Sequence, residues 1–280
     1  MSADAALLGP ALLFCPGDRP DRFAKAAAAA DTVILDLEDA VAPEAKDVAR
    51  VAVKGASLDP ARTIVRVNPA ATGLQEADLE AVRDSPFRLL MLAKAESAAD
   101  VDPLDGFDVI ALCETARGVR AADELAAHPA VVGLSWGAED LVASLGGRSS
   151  RTPGGRYRDV ARAARSRVLL AAGAAGKAAF DAVHLDLADE SGLADEARDA
   201  AESGFAGSMC IHPRQVEVIR RAFEPTAEAL AWGRAVLEAA AGAAAGVFAF
   251  EGRMIDEPLL RQARRIVAAA QATPAPGTEN

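Results

Sequence analysis

Two carboxylates in the sequence are placed to hold a metal ion. Glu114 follows the apolar run VIALC and Asp140 closely follows VVGLSWG, so both stand just beyond segments typical of buried strands. No His or Cys accompanies them at a ligand spacing, and oxygen ligands with open coordination positions suit Mg²⁺. Acidic residues in such places also cap the helix that follows a strand. From position alone, a magnesium site and two helix caps are equally good interpretations.

Arg66 has two acidic candidates for a partner. Period-two alternation in TVILDLED places Asp36 and Glu38 on one face of a strand, and Arg66 stands near the end of the next apolar run, RTIVRVN. A buried carboxylate must be paired or hydrogen-bonded, because an uncompensated buried charge is strongly destabilising. The three residues form either a structural ion pair or a rigid arginine whose remaining donors grip a substrate carboxylate. The sequence supports both interpretations equally.

A local basic patch follows the first apolar run. In FCPGDRPDRFAK a Pro-Gly turn is followed by Arg19, Arg22 and Lys25, at the start of a helix predicted to begin near Pro20. Such a charge run is either a solvated face or an anion site, since the N–H groups at a helix N-terminus also attract anions. The second alternative predicts a phosphorylated or nucleotide-bearing ligand.

Eight short apolar or β-branched runs must position these residues, with helical stretches between most of them. This alternation, over a length close to the roughly 250 residues usual for the fold, favours a parallel (β/α)8 barrel with its reactive groups at the carboxyl ends of the strands. His184 is expected to be a buried residue of the seventh run. The runs span residues 11–15, 32–39, 62–68, 88–94, 108–115, 131–137, 181–187 and 207–213.

The predicted barrel domain of this α/β chain covers residues 1–225. Two further helical stretches, joined by GVFAFEGRMID, form a C-terminal helical extension at 226–272. We expect the extension to pack on the barrel or on a neighbouring subunit. Residues 273–280, TPAPGTEN, are predicted to form a disordered tail.

The composition excludes several classes of protein. The 280 residues are 51% hydrophobic and 25% charged, which is typical of a globular chain. With 30 Lys and Arg against 41 Asp and Glu, the net charge of -11 argues against nucleic acid and anionic membranes as partners. Rossmann, P-loop and zincin motifs are absent. No apolar run is long enough to cross a bilayer and no signal-peptide pattern is present, so we expect a cytoplasmic protein.

Motifs along nearly the whole chain resemble those of one enzyme family. In chain order they are LFCPGDRPDRFAKA, VILDLEDAV, IVRVN, LMLAKAES, VIALCETARGV, LSWGAEDLVASLGG, CIHPRQVEVI and FAFEGRMIDEPLL. Together they are similar to the HpcH/HpaI aldolase and citrate lyase β-subunit family, most closely to its short, stand-alone CitE-like members from actinobacteria. The resemblance implies a TIM barrel that binds Mg²⁺ and cleaves or forms a carbon–carbon bond in a 3-hydroxyacyl-CoA thioester, such as malyl-CoA or citramalyl-CoA.

The same resemblance implies a role for each motif residue. Glu114 and Asp140 would be the magnesium ligands, and Arg66 would bind the 2-oxo-acid and stabilise negative charge on its oxygen. Asp256 would be a catalytic acid or base, supplied by the adjacent subunit of a homotrimer. The residues implied to bind CoA are Phe14, Arg19 and Lys25.

Departures from the family pattern leave two other functions open. Many members have P-K-V-E where this chain has A-K-A-E at 93–96, a Lys where it has Ser208, and an Arg where Gly-Pro-Ala stands at 9–11. Lys94 is expected to be a cation beside Glu96. One alternative is a metal-dependent aldolase that acts on free 2-oxo-acids. The other is a citrate lyase β subunit that is active only with partner subunits.

Overall fold

Eight parallel strands pair in chain order, and the eighth pairs with the first, so the sheet closes into a barrel. This computed structural model describes residues 8–242 and 247–272. The closed sheet with its helices confirms the predicted (β/α)8, or TIM-barrel, fold. The strands are β1 (Ala11–Pro16), β2 (Thr32–Asp36), β3 (Thr63–Val67), β4 (Leu89–Leu92), β5 (Asp108–Cys113), β6 (Val131–Trp136), β7 (Ala178–Asp181) and β8 (Gly207–Cys210).

Alternate residues of the strands fill the inside of the barrel. Leu12, Ile34, Ile64 and Ile110, from four different strands, belong to one buried cluster together with Phe180. Because side chains alternate between the two faces of a sheet, a residue two positions further along a strand faces the same side. The residues that follow this cluster toward the carboxyl ends therefore line the mouth of the barrel.

Helices join most successive strands. The first begins at Pro20, a position where the missing N–H of proline costs no hydrogen bond, and it buries Phe23 and Ala26. Two short 3-10 turns join β4 to β5. No helix in the described ranges is long and apolar enough to span a bilayer. The helices of this part are α1 (Pro20–Ala29), α2 (Lys46–Lys54), α3 (Gln75–Arg83), α4 (Ala116–Arg120), α5 (Ala122–Ala127), α6 (Ala138–Ser144), α7 (Asp159–Ala174), α8 (Glu190–Ser203) and α9 (Pro213–Phe223).

The seventh strand lies ahead of its predicted position, so the prediction of a strand at 181–187 is wrong. The first two residues of β7 are alanines that pair with β6, and alanine carries little strand propensity. Leu185 and Leu187, which produce the alternating pattern, lie in the following loop with 49% and 53% of their surface exposed. His184 is buried as expected, but it too lies beyond the strand.

β8 also ends before its predicted limit. The side-chain oxygen of Gln215 accepts hydrogen bonds from the backbone N–H groups of Ile211 (2.9 Å) and His212 (3.1 Å). These groups are thereby bonded to the first turn of α9, which begins at Pro213. They are not used to extend the sheet.

The chain divides into two compact units, Met1–Arg220 and Arg221–Asn280. The second unit has its own small core, formed by residues of two helices and a hairpin. The predicted tail at 273–280 lies outside the described residues. The elements of this unit are α10 (Ala227–Gly242), the antiparallel strands β9 (Phe248–Phe250) and β10 (Arg253–Ile255), and α11 (Glu257–Ala272). The core residues are Val236, Ile255, Leu260 and Ala263.

The closure of β8 on β1 predicts that Gly207 cannot be replaced without cost. A Cβ atom at this position would stand 2.8 Å from the backbone oxygen of Pro10 and 3.0 Å from that of Gly9. Since these backbone atoms can move only by opening the barrel, we expect Gly207→Ala to lower the free energy of unfolding by about 1–3 kcal/mol.

Gly173→Ala is the matched control. A Cβ atom there, on α7, would meet no atom within 4 Å, and alanine favours a helix over glycine by up to about 1 kcal/mol. We expect this variant to be more stable than the wild type. Denaturant unfolding measures both variants, and equal stabilities would contradict the crowding inferred at Gly207.

Candidate active site

Charged side chains continue the interior face of the barrel at its mouth. Asp36 and Arg66 pair in register at the ends of β2 and β3, each two residues beyond an isoleucine of the buried cluster. Glu114 likewise stands two residues beyond a leucine of the cluster, just after β5. Period-two alternation therefore turns all three charged side chains toward the inside.

Asp36 and Arg66 form a buried, two-pronged ion pair. Arg66 donates from Nε to Asp36 Oδ1 (2.7 Å) and from Nη2 to Asp36 Oδ2 (2.6 Å). The backbone N–H groups of Glu38 and Ala40 donate to the same carboxylate, at 2.8 and 3.0 Å. Burial lowers the pKa of Arg66, but the charge of Asp36, its hydrogen bonds and the charges of Glu38 and Glu114 together outweigh burial and raise this pKa above its ordinary value. The guanidinium is thus held charged and in one orientation, and the predicted contact is confirmed.

Arg66 has two further neighbours. Its Nη1 atom lies 3.0 Å from Glu38 Oε2. The ring of Phe14 stacks against the guanidinium, with 4.8 Å between Arg66 Cζ and the ring centroid, which is within the range of a cation–π interaction. Of the five N–H donors of an arginine, Asp36 takes two and Glu38 faces one. These contacts leave two donors of Arg66 for a ligand.

A layer of polar contacts joins the backbone after β2 to the side chains of Lys46 and Asn68. The Lys46 ammonium donates to the backbone oxygens of Leu37 and Glu38, both at 2.7 Å, and to Asn68 Oδ1 at 3.2 Å. Asn68 in turn donates to Asp78 from its backbone N–H (2.9 Å) and from its side chain (2.6 Å). This layer fixes the backbone that carries Glu38.

Glu114 is a buried carboxylate, with 3% of the residue exposed. Its Oε1 accepts a hydrogen bond from the Lys94 backbone N–H at 3.2 Å. A Cβ atom on Gly137 would stand 2.6 Å from its Oε2, so glycine at that position leaves room for the carboxylate. Burial, followed by the charge of Asp140, raises the pKa of Glu114 to about 8, although Arg66 and Lys94 oppose this. A bound cation would stabilise such a carboxylate.

Neither metal-ligand candidate acts as a helix cap. Thr115 caps α4, because its Oγ1 accepts a hydrogen bond from the Gly118 backbone N–H at 3.0 Å. Asp140 lies in the first turn of α6, beyond the end of β6, with 36% of its side chain exposed. The N-cap residue of α6 is Gly137, which makes no side-chain capping bond. The helix dipole still favours a negative charge at Asp140.

The chemistry of the two carboxylates fits Mg²⁺. The Lys94 ammonium lies 3.9 Å from Glu114 Oε1 and 3.5 Å from Asp140 Oδ1, so the two carboxylates flank the same cation. Among the described residues, no group of three or more His, Cys, Asp or Glu side chains is arranged to hold a metal ion. Mg²⁺ commonly takes only one or two carboxylates and completes its shell with water and substrate oxygens. The pair therefore matches an ion that shares its shell with a substrate.

Lys94 does not pair with Glu96, so that expectation is wrong. Glu96 accepts a hydrogen bond from Thr115 Oγ1 at 2.7 Å. The Lys94 ammonium instead contacts the Glu38 carboxylate and lies 3.0 Å from Asp39 Oδ2. In a regular strand, residues 94 and 96 would share a face. The strand ends at Leu92, and Lys94 has a left-handed backbone with a φ of 48°, which breaks the alternation.

The acids around Lys94 differ in the direction of their pKa shifts. Burial raises the pKa of Glu38, and Arg66 and Lys94 reduce that rise without cancelling it. Burial also raises the pKa of Asp39, but the hydrogen bond and charge of Lys94, the hydrogen bond with Glu38 and the charge of Arg66 together outweigh burial, so the net shift is downward. The pKa of Lys94 is raised because its contacts with carboxylates outweigh burial. Lys94 is therefore charged at neutral pH.

The predicted CoA-binding residues fall into two groups. Arg19 immediately precedes α1 and donates from Nε and Nη2 to Asp21, both at 3.0 Å, with 43% of its side chain exposed. Lys25 is exposed within α1. Phe14 lies on β1, where its partner is Arg66. The structure thus places Arg19 at a solvent-exposed helix N-terminus and Lys25 in the second turn of the same helix, and it joins the phenyl ring to the buried ion pair.

Asp256 belongs to the second unit, at the start of α11. Its carboxylate accepts a long hydrogen bond, 3.4 Å, from the Leu259 backbone N–H. Its carbonyl oxygen accepts one from the Leu260 backbone N–H at 2.9 Å. These are the contacts of a helix N-cap, and the catalytic role of Asp256 stays a prediction.

Sequence reasoning missed the surroundings of Lys94 and the importance of Gly137. One signal for Lys94 was available, because β4 lies between the strands that carry Arg66 and Glu114. A cation at its end was therefore a candidate neighbour for both. No signal in the sequence showed the left-handed backbone at Lys94, or the close approach of Gly137 to Glu114.

A barrel whose mouth holds a carboxylate pair beside a buried arginine defines a class of enzymes that combine a metal ion with a fixed positive charge. Residues 11–213 match the family described as HpcH/HpaI aldolase/citrate lyase, and the chain belongs to this family. It is therefore a carbon–carbon lyase.

Relatives and solved structures agree with this assignment. The citrate lyase subunit beta-like protein of Mycobacterium tuberculosis (strain ATCC 25618 / H37Rv) is 56% identical over 262 residues, which cover 94% of this chain and 96% of the relative. The mitochondrial citramalyl-CoA lyase of Homo sapiens is 32% identical, over 93% of this chain and 85% of its own. The crystal structure of CitE from Mycobacterium tuberculosis in complex with magnesium, acetoacetate and coenzyme A has a TM-score of 0.91 at 56% identity, covering 94% of this chain and 98% of that one.

In metal-free protein, the raised pKa of Glu114 predicts a loss of stability as pH rises. Folding moves this pKa from 4.5 to about 8, so its stabilising contribution is complete below pH 4.5 and is lost as pH rises through about 8. Glu114→Gln cannot ionise. In EDTA at pH 9 we expect it to unfold several degrees above the wild type, since one pKa unit corresponds to about 1.4 kcal/mol.

Thermal unfolding across pH 5 to 9 makes the measurement. The two proteins should melt together near pH 5, where Glu114 is protonated in the folded state. Glu76→Gln is the control, because Glu76 lies on α3 with 69% of its side chain exposed, and its effect should not change in this pH range. If the difference in melting temperature between Glu114→Gln and the wild type stayed constant with pH, the raised pKa of Glu114 would be contradicted.

Proposed function

We propose that the protein is a Mg²⁺-dependent carbon–carbon lyase, or synthase in the reverse direction, that acts on a short 3-hydroxyacyl-CoA thioester such as citramalyl-CoA or malyl-CoA. One observation carries the proposal: Glu114 and Asp140 flank the same cation, the Lys94 ammonium, beside an arginine that Asp36 holds in a single orientation. Support comes from the magnesium, acetoacetate and coenzyme A bound to the CitE structure, and from the similarity to citramalyl-CoA lyase.

Glu114 and Asp140 are the residues that would hold the magnesium ion. When bound, the ion would supply a Lewis acid that polarises the carbonyl of the 2-oxo-acid and orients it. Glu114 is buried and Asp140 is partly exposed. This difference supports a site that is shielded on the barrel side and open to substrate oxygens on the other.

Arg66 would bind the oxygen at which negative charge develops. In the cleavage direction, the hydroxyl group of the substrate gives its proton to water, its oxygen becomes a carbonyl, and the bond to the thioester α-carbon breaks. The electron pair of that bond passes to the thioester as an enolate. The remaining donors of Arg66 would stabilise the negative charge on the oxygen, and the fixed pair with Asp36 removes the need to reorient the guanidinium.

Asp256 would transfer the proton at the thioester α-carbon. In cleavage it would give a proton to the enolate, and in condensation it would remove one from the methyl group of the thioester. On the family resemblance, we also propose that the protein is a cytoplasmic homotrimer. In this assembly the C-terminal extension at 226–272 would bring Asp256 to the mouth of a neighbouring barrel.

Phe14, Arg19 and Lys25 would bind the CoA part of the substrate. Arg19 stands at the N-terminus of α1, where backbone N–H groups also favour phosphate, and Lys25 lies in the second turn of the helix. Because Phe14 stacks on Arg66, its contact with the ligand would be near the acyl end. The alternatives are an aldolase for free 2-oxo-acids and a citrate lyase β subunit that needs partner subunits. Both would use Glu114, Asp140 and Arg66, but neither would use Phe14, Arg19 and Lys25 in the same way.

The direct test is an assay of the purified chain alone with malyl-CoA and citramalyl-CoA in the presence of Mg²⁺. We expect turnover that stops on addition of EDTA. Glu114→Gln and Asp140→Asn should each lower kcat by at least about a hundredfold, the usual order for losing a group that stabilises transition-state charge. Glu76→Gln serves as the control with unchanged kcat.

Three outcomes would decide against the proposal. Cleavage of free 2-oxo-acids without any activity on thioesters would favour the aldolase. Activity that appears only when citrate lyase partner subunits are added would favour the β-subunit alternative. Normal turnover in both carboxylate variants would show that the metal ligands are wrongly assigned.

The two basic residues just before α1 and within it, Arg19 and Lys25, give a second prediction. Arg19→Ala combined with Lys25→Ala should raise KM for the thioester by tenfold or more and leave kcat little changed, because phosphate contacts made equally in ground state and transition state affect binding alone. Arg83→Ala is the control, an exposed arginine on α3 whose side chain is 46% accessible. Unchanged steady-state kinetics in the double variant would remove the support for a CoA site at α1.

A further inference from the structure

Lys94 has an unusual backbone at the mouth of the barrel. Its φ of 48° lies in the left-handed region, which is disfavoured for a residue with a Cβ atom. In this conformation its backbone N–H and its side-chain ammonium each contact a carboxylate. The backbone N–H donates to Glu114 Oε1 at 3.2 Å, and the ammonium contacts Glu38. A strained backbone kept at a functional site indicates that these contacts matter for function.

The Lys94 ammonium is tethered on one side only. It is hydrogen-bonded to Glu38 and, at 3.0 Å, to Asp39 Oδ2, and both acids follow β2. Toward the other side its distances are longer, 3.5 Å to Asp140 Oδ1 and 3.9 Å to Glu114 Oε1. Distances of this size exceed a good N–H···O hydrogen bond. The ammonium therefore stands beside the Glu114–Asp140 pair without being bonded to it through the side chain.

The position of this charge affects any cation that enters the site. Arg66 is engaged with Asp36 and Glu38. Within the described ranges, Lys94 supplies the cationic nitrogen that lies within 4.0 Å of both Glu114 and Asp140. Two neighbouring carboxylates repel each other, and a positive charge beside them reduces that repulsion. The same positive charge opposes a divalent ion that binds to the pair.

We propose, on the basis of the magnesium site of the proposed function, that Lys94 is the resident counter-ion of the Glu114–Asp140 pair and weakens the affinity of that pair for Mg²⁺. Lys94 balances the carboxylates when no metal is bound. When Mg²⁺ binds, the charge of Lys94 competes with the ion for the two carboxylates. This competition favours a complex in which the negative oxygens of the oxo-acid complete the shell of the ion. Lys94 is thus a positioning residue that sets metal affinity.

The test is Mg²⁺ binding to the metal-free, full-length protein, measured by isothermal titration calorimetry at fixed pH and ionic strength without substrate. Lys94→Met keeps the unbranched side chain and removes the charge, whereas Lys94→Arg keeps the charge. We expect Lys94→Met to bind Mg²⁺ about tenfold more tightly than the wild type, as expected for the loss of a partly screened unit charge, and Lys94→Arg to stay within about threefold. A purely structural role predicts the opposite sign, because loss of the contacts to Glu38 would loosen the site.

Equal or weaker Mg²⁺ affinity in Lys94→Met overturns the proposal. Lys94→Gln, which keeps a donor for Glu38 and Asp39, replaces it if circular dichroism shows that Lys94→Met is unfolded, and the same tightening is expected. Glu114→Gln distinguishes the two levels of inference. If it leaves Mg²⁺ affinity unchanged, the magnesium site is wrong and the role of Lys94 falls with it. Affinity that depends on Glu114 but is not increased by removing the charge of Lys94 overturns the role of Lys94 alone.

Discussion

The buried ion pair between Asp36 and Arg66 is the interaction on which the rest of the site depends. Two charges taken out of water destabilise a protein unless their hydrogen bonds are nearly all satisfied inside it. Asp36 meets this condition through the fork from Arg66 and two backbone N–H groups. The fork joins register partners on adjacent strands, so no loop has to be ordered to form it. A change of register would displace every buried side chain of the strand, and Arg66 is therefore as rigid as the barrel wall.

This rigid charge allows the mouth to carry more carboxylates than cations. Glu38 is held between Arg66 and Lys94, and the layer of Lys46 and Asn68 fixes its backbone. The ionised form of Glu114 is destabilised, because this carboxylate is buried and adjacent to the negative charge of Asp140. A site of this kind is least stable when it is empty, and any cation that binds the folded state alone stabilises it by mass action. The close-packed barrel supplies the stability that makes such an arrangement tolerable.

Much of this arrangement could be predicted from the sequence, because strand periodicity determines which side chains share a face. The alternation in β2 was sufficient to predict that Asp36 meets Arg66, and the apolar runs located seven of the eight strands. The predicted position of β7 is wrong because the alanines of this strand pair with β6 through the backbone. The leucines whose alternation is typical of a strand are exposed in the next loop. The predicted pairing of Lys94 with Glu96 is wrong for a different reason. The direction of the Lys94 side chain depends on one left-handed φ angle, which a hydrophobic pattern does not reveal. Family resemblance supplied the roles that geometry alone left open.

The departure from the family pattern at Ser208 concerns the barrel wall and not the proposed CoA site. Ser208 is buried on β8 and is the register partner of Asp181 on β7. Where many members carry a lysine at this position, Asp181 here accepts hydrogen bonds from Trp136 Nε1 at 2.6 Å and from Arg165 Nη2 at 2.8 Å. Arg165, which α7 contributes, therefore provides the positive charge next to Asp181. The cations proposed to meet CoA phosphates lie just before α1 and within it, so the absence of a lysine at 208 does not by itself weaken the case for a thioester substrate.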